Sequence, residues 1–420
     1  MERVILHCDQ NCFFASVELL SHPDLRDVPM AVCGDPASRH GIILAKNEPA
    51  KRFGIQTAET VWQARRKCPG LVLLPPHHKL YREYSVRVNE LYGQYTDLVE
   101  PFGIDESWLD ITGSMHLFGG DPVAIADELR RRVREELGLS ISVGVSFNKI
   151  FAKLGSDYKK PDATTLISPE NWQEIVWPLP VGAMLFVGRS AQRTLAQYGV
   201  ETIGQLAACR PEMIEQLLGK LGRQLHEYAN GLDRSPVRPQ AEREPVKSVG
   251  NGTTFPHDLT RWEEVRAGLA ALSDSVAMRL RRQGLYCSGV QVTIKDSSFR
   301  SISRQKRLES PTRLMKDIQR AAMELTPNAL INLGIGMPGG IGSVADEEGI
   351  SDLFTLSVEC GPLGGVPLGG IDFGACVDPE AMYRMADTLL LYAGGALDMA
   401  VLGFAEVDRF GNVNAHSFNG

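Results

Sequence analysis

Short blocks of apolar residues separated by polar ones run through the first 165 residues and predict strands alternating with helices. Val4–Asp9 predicts a buried strand, and the apolar spacing over 12–20 predicts a helix directly after it. Asp121 and Pro122 predict the start of a further helix. The buried stripe of that helix consists of Ile125, Leu129, Val133 and Leu137. Further strands are predicted at 29–33, 41–45 and 141–145. This order predicts an α+β sheet.

Two adjacent acidic residues interrupt the apolar pattern within Phe102–Asp110. Asp105 and Glu106 have apolar neighbours on both sides, which predicts the end of a strand or a tight hairpin. Like charges this close are unfavourable unless a cation lies between them. With Asp9 at the end of the first strand, the carboxylates suit Mg²⁺ better than Zn²⁺ and indicate two-metal phosphoryl transfer. Solvated acids at strand ends are the alternative for such a pair taken alone.

The chain becomes helical with short loops after Leu179. Residues 186–206 have the pattern of a helix-hairpin-helix around Gly188, and a weaker second copy is found near 218–222. A glycine turn between two helices exposes backbone N–H groups to a phosphate, and so binds DNA without reading its sequence. A plain pair of antiparallel helices is the alternative.

Three prolines and mixed charges predict a linker at 232–246. The elements predicted beyond it are a strand at 247–255, a helix at 261–283, and strands at 289–295 and 300–308. Alternation along 289–295 points Lys295 away from the apolar face, and the next strand brings Arg304 and Lys306. These residues predict a sheet with a basic outer face that contacts the backbone of a duplex.

Composition narrows the class of protein. Hydrophobic residues make up 43% and charged residues 23% of the chain, as in ordinary soluble proteins. Eight cysteines without a C-x-x-C motif indicate neither disulfides nor a zinc site. The N-terminus lacks the pattern of a signal peptide, and the apolar stretch 389–405 contains Asp398, so no membrane span is predicted. We expect a cytoplasmic protein.

The formal charge of −7 conceals two regions of different character. Residues 326–420 contain twelve acidic residues and two arginines, a balance of −10, which leaves +3 for residues 1–325. The same segment holds 17 of the 41 glycines. An acidic, glycine-rich tail on a mildly basic body indicates two sequences of different character, with a boundary near Thr326.

Several motifs in order over residues 1 to about 325 resemble the Y family of DNA polymerases, in its polymerase IV branch. They are His7–Glu18, Ile104–Ser107, Gly144–Lys149, Lys160-Pro161, the Gly188 hairpin and Lys247–Phe255. The resemblance implies a right-hand α+β multidomain fold. Its parts are a palm at 1–11 and 76–165, fingers at 12–75, a helix-hairpin-helix thumb at 166–231, the linker at 232–246 and a little finger at 247–325. Residues 329–335 are a candidate for the last strand of the little finger.

The same resemblance implies roles for individual residues. Asp9 and Asp105 ligate two Mg²⁺ ions, Glu106 completes the catalytic site, and the carbonyl of Gln10 is a further ligand. Phe14 takes the position of a steric gate, the aromatic ring that excludes the 2′-hydroxyl of ribonucleotides. The implied triphosphate-binding residues are Lys51 and Lys160. The hairpin and the basic strands, taken as patterns, give the candidate DNA-binding residues Gly188, Arg189, Lys295, Arg304 and Lys306. Where this chain has Glu48 and Lys51, the family often has Tyr-x-x-Arg.

The tail at 326–420 resembles a fragment of an acetate-type CoA-transferase. The matching motifs are Asn332–Pro338, Ser357–Gly365 and Asp408–Asn414. The resemblance implies an α/β fragment in which Glu359 takes the position of a carboxylate that attacks an acyl-CoA. This sequence has no segment that resembles the first half of those proteins. We therefore predict that Glu359 is catalytically silent.

Three classes of function therefore compete. A templated, error-prone translesion DNA polymerase accounts for the acidic residues, the gate, the hairpin and the basic sheet. A CoA-transferase accounts for the tail alone, and a non-catalytic DNA-binding protein leaves the acidic residues unexplained. The polymerase is favoured, with primer–template DNA and dNTPs as partners and a monomeric state. Members of this branch commonly end in a sliding-clamp-binding peptide, whose place the tail occupies here, so clamp binding is left open.

Overall fold

The protein consists of two compact units, residues 1–245 and 246–420. The computed structural model describes residues 3–35, 41–239, 242, 245–325, 329–333, 340–347, 354–368, 372, 374–393, 397, 399–401, 406, 407, 413 and 414. The boundary between the units falls at the end of the predicted linker.

The first unit alternates strands and helices and then becomes helical. Its elements are β1 (Ile5–Gln10), α1 (Phe13–Ser21), β2 (Met30–Cys33), β3 (Ile43–Lys46), α2 (Glu48–Lys51), α3 (Val61–Lys67), β4 (Val72–Leu74), α4 (His78–Tyr92), β5 (Val99–Pro101), β6 (Glu106–Asp110), α5 (Pro122–Leu137), β7 (Ile141–Ser146), α6 (Lys149–Tyr158), β8 (Thr164–Ile167), α7 (Trp172–Val176), α8 (Arg189–Ala196), α9 (Ile203–Ala208), α10 (Pro211–Leu218) and α11 (Lys220–Ala229). The strand, hairpin and helix predicted at 4–9, 102–110 and after Asp121 are all present.

A five-stranded sheet in the order β5-β6-β1-β7-β8 forms the centre of this unit. The central strand β1 is antiparallel to both β6 and β7, and β8 runs parallel to β7. One face of the sheet packs against α1, α4 and α5 through a core that includes Leu6, Phe13 and Leu129. The helix α6 packs against β1 and β7, and Ala152 shares a cluster with Ile5 of β1. Residues of β1 therefore alternate between two buried faces.

A second, three-stranded sheet in the order β3-β2-β4 is built around β2. The helix α3 begins with a capping box between Thr60 and Gln63, which satisfies two of its free N–H groups. The helix α2 begins at Asn47, whose side chain accepts from Ala50 N. Neither α3 nor α4 was predicted from the sequence.

The helices α7 to α11 share a core with α6. Phe151 and Leu154 of α6 contact the same buried cluster as Leu195, Ile203 and Leu225. The helices α8 and α9 are followed by α10 and α11, which meet at Gly219 with φ of 68°. The two predicted hairpins therefore both correspond to pairs of helices.

Residues 232–238, which begin the predicted linker, pack against the sheet of the first unit. Val237 is buried with Ile5 and Trp108. Asp233 is buried and accepts from the backbone N–H of Lys149, 3.2 Å away. The backbone N–H and side chain of Arg238 donate to Glu100 at 2.9 and 3.1 Å. The start of the linker is therefore fixed to the first unit; we refer to residues 232–238 as the anchored segment.

The second unit begins with helix α12, two antiparallel strands and helix α13, and it ends in a different sheet. Its elements are α12 (Trp262–Arg282), β9 (Cys287–Lys295), β10 (Ser301–Thr312), α13 (Met315–Leu325), β11 (Ala329–Leu333), α14 (Gly340–Glu347), β12 (Phe354–Ser357), β13 (Pro362–Leu363), β14 (Val366–Pro367), β15 (Cys376–Val377), β16 (Ala381–Met382), α15 (Met385–Leu391), β17 (Met399–Val401), β18 (Glu406–Val407) and β19 (Val413–Asn414). The helix predicted at 261–283 and the strands predicted at 289–295 and 300–308 are present.

The prediction of a strand at 247–255 is wrong. All nine residues are described, and none lies in a strand. Among the described residues, β9 and β10 form a sheet of two strands. The segment is largely exposed, with Val249 partly buried against the cluster of α12 and α13. An apolar alternation makes a strand only where a neighbouring strand accepts its backbone hydrogen bonds.

The candidate last strand at 329–335 is formed in part, but it belongs to the tail. Strand β11 lies in a five-stranded sheet of order β16-β13-β12-β11-β17 and is parallel to both β12 and β17. Leu333, Leu356 and Val358 form a buried cluster there. The expectation that this strand completes the sheet of β9 and β10 is therefore wrong. Residues 334 and 335 lie outside the described part.

Candidate active site

Three carboxylates meet at one end of the two central strands. Asp9 on β1 is opposite Glu106 on β6 in the antiparallel register, so their side chains share one face of the sheet. Asp105 directly precedes Glu106 in the turn from β5, and its carbonyl accepts from Gln10 N at 3.0 Å. Gly103 makes this turn with φ of 87°, a conformation that favours glycine. The predicted hairpin thus brings all three acidic residues together.

Two lysines lie among these carboxylates. Lys153 Nζ is 3.0 Å from Asp9 Oδ2, 3.1 Å from Glu106 Oε1 and 3.1 Å from Asp157 Oδ2. Lys160 Nζ is 2.6 Å from the same Asp9 oxygen and 2.7 Å from Asp157 Oδ1. The result is a network of alternating charges that is buried at Asp9 and exposed at Asp157 and Lys160, in which the proposed triphosphate residue Lys160 contacts the acid of β1.

Lys153 reaches the carboxylates because α6 lies very close to β7. A Cβ atom on Gly144 would come within 1.9 Å of the carbonyl oxygen of Ala152 and 2.5 Å of Ser156 N. A Cβ on Gly155 would lie 3.0 Å from Gly144 Cα. A side chain on Gly144 would prevent this contact between helix and strand, and one on Gly155 would force a shift of a few tenths of an ångström. The glycine pair therefore determines how deeply α6 sits and where its lysine points.

His7 contacts the same network from β1. Its ring is completely buried, with Nε2 3.3 Å from Glu106 Oε2 and Nδ1 2.8 Å from the hydroxyl of Ser156. Burial lowers the pKa of His7, so the ring is neutral at neutral pH. Burial alone would raise the pKa of Glu106, but the contacts with His7 and Lys153 outweigh it and lower that pKa. Glu106 is therefore ionised.

Asp105 has the opposite electrostatic environment. Burial, with the nearby charges of Asp9 and Glu106, raises the pKa of Asp105 to about 6. A carboxylate held in this way gains from an added positive charge. Glu106 Oε2 is buried without a hydrogen-bond partner of good geometry. An all-oxygen set of this kind fits a hard divalent cation. Among the described residues, no three His, Cys, Asp or Glu side chains already form a metal cluster, and the ammonium of Lys153 lies between Asp9 and Glu106.

Phe14 and Lys51 lie next to the start of α1. Phe14 is half-buried in the first turn of α1. The preceding Cys12 caps the helix with φ of 51°, an uncommon conformation for a residue with a side chain. Its thiol donates to Glu48 Oε1 at 3.3 Å, and Lys51 Nζ lies 2.6 Å from the same oxygen. Glu48 thus connects the predicted triphosphate residue Lys51 to the base of the predicted gate helix.

Gly188 and Arg189 are exposed at the start of α8, where Gly188 is the N-cap residue. The φ of Gly188 is −75°, and an added Cβ would meet nothing within 4 Å. Neither backbone conformation nor packing requires glycine here. Its small size leaves the helix start open to approach from solvent.

The three basic residues predicted on the second unit do not share one face. In the register of β9 and β10, Arg304 is opposite Val292 and Lys306 is opposite Val290. Val290 and Val292 pack against α12 and α13, so Arg304 and Lys306 point to the helix side, where Lys306 pairs with Glu324 at 2.5 Å. Lys295 is on the other face. The prediction that all three residues share one outer face is therefore wrong. The register places Arg304 and Lys306 of β10 opposite apolar residues of β9, on the face that packs against the helices.

Glu359 lies in the tail, two residues after the end of β12. It is half-buried, and its Oε2 atom is buried without a hydrogen-bond partner. Nearby, the hydroxyl of Tyr392 lies 2.8 Å from Ser357 Oγ and 3.1 Å from Asn332 Oδ1. The predicted motif 332–338 is described only through Leu333, and 408–414 only at its last two residues.

Of the residues that complete the acidic site, sequence reasoning missed His7, Lys153 and Asp157. Lys153, Asp157 and Lys160 are spaced four and three residues apart, which places their side chains on one side of a helix and the residues that follow it. That spacing is a usable signal, but it does not say which acidic residues the lysines meet.

Comparison with known proteins identifies the family. A model of the impB/mucB/samB family matches residues 8–157, and a model of the C-terminal domain of the same family matches 246–337. A DNA polymerase IV of Acetivibrio thermocellus is 50% identical over 325 residues, which cover 77% of this chain and 81% of that protein. One from Moorella thermoacetica is 39% identical over 357 residues, covering 83% and 88%. DNA polymerase IV 1 of Bacillus subtilis strain 168 is 38% identical over 323 residues, covering 77% of each.

The fold agrees with this identification. A solved Y-family DNA polymerase chimera superposes with a TM-score of 0.69 at 21% identity, covering 77% of this chain and 92% of that one. The second family match includes β11, although β11 pairs with strands of the tail. No described helix is long and apolar enough to cross a membrane.

The fold and the sequence matches define a Y-family polymerase. The chain belongs to the impB/mucB/samB family, in the group of DNA polymerase IV. It is a DNA-directed DNA polymerase with a role in translesion synthesis, for which primer–template DNA and dNTPs are the substrates. Polymerases of this family use divalent metal ions.

Proposed function

We propose that Asp9, Asp105 and Glu106, with the carbonyl of Gln10, hold two Mg²⁺ ions while a dNMP is added to a primer 3′ end. The observation that carries this proposal is the convergence of three carboxylates at one end of β1 and β6. The raised pKa of Asp105 supports it, because that carboxylate gains from a cation. These residues would hold the divalent ions, which would supply charge neutralisation for the triphosphate and activation of the primer hydroxyl.

The lysines around the site supply charge for the incoming triphosphate. Lys160 contacts the acid of β1 and is close enough to the metal ligands to receive a phosphate oxygen beside them. Lys51 is 40% exposed and free to turn from Glu48 toward a more strongly charged ligand. Both residues supply positive charge that orients the nucleotide. Phe14, at the start of the neighbouring helix α1, acts as the gate against ribonucleotides.

Residues outside the acidic site, in both units, bind the DNA. The open helix start at Gly188 and Arg189 binds a backbone phosphate of the duplex. Lys295 contributes from the exposed face of β9. Arg304 and Lys306 lie on the helix side, so Lys306 contacts DNA after leaving Glu324. The predicted palm, fingers, thumb and little finger are the corresponding domain assignment. We propose a monomeric, cytoplasmic enzyme.

The tail is proposed to be a catalytically silent fragment of a CoA-transferase. Its parallel pairs β11-β12 and β11-β17 are consistent with an α/β fragment. A carboxylate that forms a thioester needs donors aimed at the developing oxyanion and a pocket for the coenzyme. Acyl-CoA exchange by the full chain that disappears in Glu359→Ala would contradict this proposal.

Primer extension by single variants tests the metal site. Asp9→Ala and Asp105→Ala are expected to abolish nucleotide addition at ordinary Mg²⁺ while duplex binding persists, because the proposed DNA contacts lie elsewhere. Asp97→Ala is the matched control, since it removes an exposed carboxylate of the same unit. Efficient extension by either site variant, with the control unchanged, refutes the assignment.

A further inference from the structure

Glu18 is a buried carboxylate on α1 that lies outside the acidic site. Its side chain is only 4% exposed. The hydroxyl of Tyr81 donates a hydrogen bond to its Oε1 atom, and His77 Nδ1 lies 2.9 Å from Oε1 and 3.1 Å from Oε2. A carboxylate removed from water is costly unless such partners satisfy it. Glu18 and Tyr81 therefore hold each other in fixed positions.

The ring of Tyr81 supports the ring of Phe14. Their centroids are 4.1 Å apart and their planes are 15° from parallel, which is a stacked pair. Tyr81 is completely buried. His78 meets both rings edge-on, with centroids 5.8 Å from each. Phe14 and Glu18 are four residues apart on α1, so they lie on the same side of the helix and contact the same tyrosine.

Burial and the neighbouring carboxylate raise the pKa of Tyr81, so its hydroxyl stays protonated and remains a donor to Glu18. An aromatic gate excludes a 2′-hydroxyl only while the ring is unable to retreat from the sugar. Phe14 has two side-chain torsions, and the plane of Tyr81 blocks its movement in one direction. Tyr81 can yield only if its hydroxyl leaves Glu18.

We propose that Glu18 is a positioning residue for sugar discrimination, which acts on Phe14 through the hydroxyl and ring of Tyr81. This inference rests on the proposed role of Phe14 as the gate. It assigns the selection against ribonucleotides to a chain of three side chains: the gate, the ring behind it, and the buried carboxylate that fixes that ring.

The test is the ratio of kcat/KM for dCTP to kcat/KM for CTP opposite a template guanine. Tyr81→Phe and Glu18→Gln each retain the shape of the side chain. Tyr81→Phe is expected to lower the ratio by about 3- to 10-fold, the range that corresponds to the loss of one hydrogen bond, and Glu18→Gln, which keeps a weaker, uncharged acceptor, is expected to lower it less. Tyr84→Phe is the matched control, because it removes a hydroxyl one turn further along α4, and it should leave the ratio unchanged. The rate with dCTP and the unfolding midpoint report general damage, which lowers both rates together and does not change the ratio.

A Phe14→Ala background separates this inference from the proposed gate. Phe14→Ala should lose most discrimination, and adding Tyr81→Phe or Glu18→Gln should then lower it no further, since there is no ring left to position. If Phe14→Ala loses discrimination but the two single variants keep the wild-type ratio, the positioning role is wrong and the gate stands. If Phe14→Ala itself keeps the wild-type ratio, the gate assignment fails, and the inference fails with it.

Discussion

Replacing Lys153 with methionine is expected to destabilise the protein in the absence of divalent ions and to increase the stabilisation that Mg²⁺ gives. The Lys153 ammonium is 13% exposed and contacts Asp9 and Glu106, which are 6% and 21% exposed. At an effective dielectric constant of about 20, two unit charges 3 Å apart attract by about 5 kcal/mol. Methionine keeps the length of the apolar stem but removes this charge.

The net loss is smaller than that attraction, because a buried ammonium has also lost its hydration. Removing one partner of a buried pair costs about 3–5 kcal/mol. Lys160 still contacts Asp9 in the variant, and Asp157 is 44% exposed and regains water. We therefore expect Lys153→Met to lower the free energy of unfolding by about 2–3 kcal/mol in EDTA.

Urea unfolding in EDTA and at several Mg²⁺ concentrations measures this change. A cation that binds only the folded state stabilises it in proportion to the logarithm of its concentration above Kd. Mg²⁺ should raise the midpoint of Lys153→Met more than that of the wild type, since the ammonium no longer competes for the carboxylates. Lys159→Met is the control, because Lys159 is exposed and close in sequence. Equal stability of wild type and Lys153→Met in EDTA, with equal dependence on Mg²⁺, would refute the reasoning.

Two further predictions concern parts of the chain outside the acidic site. Burial would raise the pKa of Glu100, but the hydrogen bonds from Lys149 and Arg238 outweigh it and lower that pKa. The contact therefore stabilises the fold above the ordinary carboxyl pKa of about 4.3 and is lost as the pH falls through the lowered value. Urea midpoints of the wild type should fall more steeply with acidification than those of Glu100→Gln, and parallel curves would show that the contact contributes nothing. A chain that ends after Gly340 keeps all residues of the second family match. It should extend primers like the full chain and remain soluble at higher concentration. Loss of primer extension would show that the polymerase needs the tail.

Local patterns in the sequence were sufficient to predict the parts of the site that lie on one or two neighbouring elements. The strand that carries Asp9, the hairpin that carries Asp105 and Glu106, and the helix capped by Asp121 all depend on contacts close in the chain. The apolar run, the turn glycine and the cap each act within a few residues. These elements and their acidic residues were therefore predictable.

The position of Lys153 depends on packing between distant elements and was not predictable from the local pattern. It follows from the close contact of Gly144 with Ala152, which only the folded chain displays. The faces of Arg304 and Lys306 depend on the register of two strands, where a shift of one residue reverses every side chain. The strand expected at 247–255 failed for a related reason, because the neighbouring strand it would pair with is not beside it in the described part of this unit.

The anchored segment has a consequence for how strongly the two units cooperate on a shared ligand. A free linker over all of 232–246 would span at most about 50 Å, at roughly 3.4 Å for each residue. With 232–238 fixed to the first unit by Val237 and Arg238, the rest of the predicted linker, 239–246, can span at most about 27 Å. For a flexible tether, effective concentration falls roughly with the −3/2 power of its length, so eight residues in place of fifteen correspond to a local concentration about 2.5-fold higher. A ligand already held by the first unit therefore recruits the second at a lower cost in chain entropy.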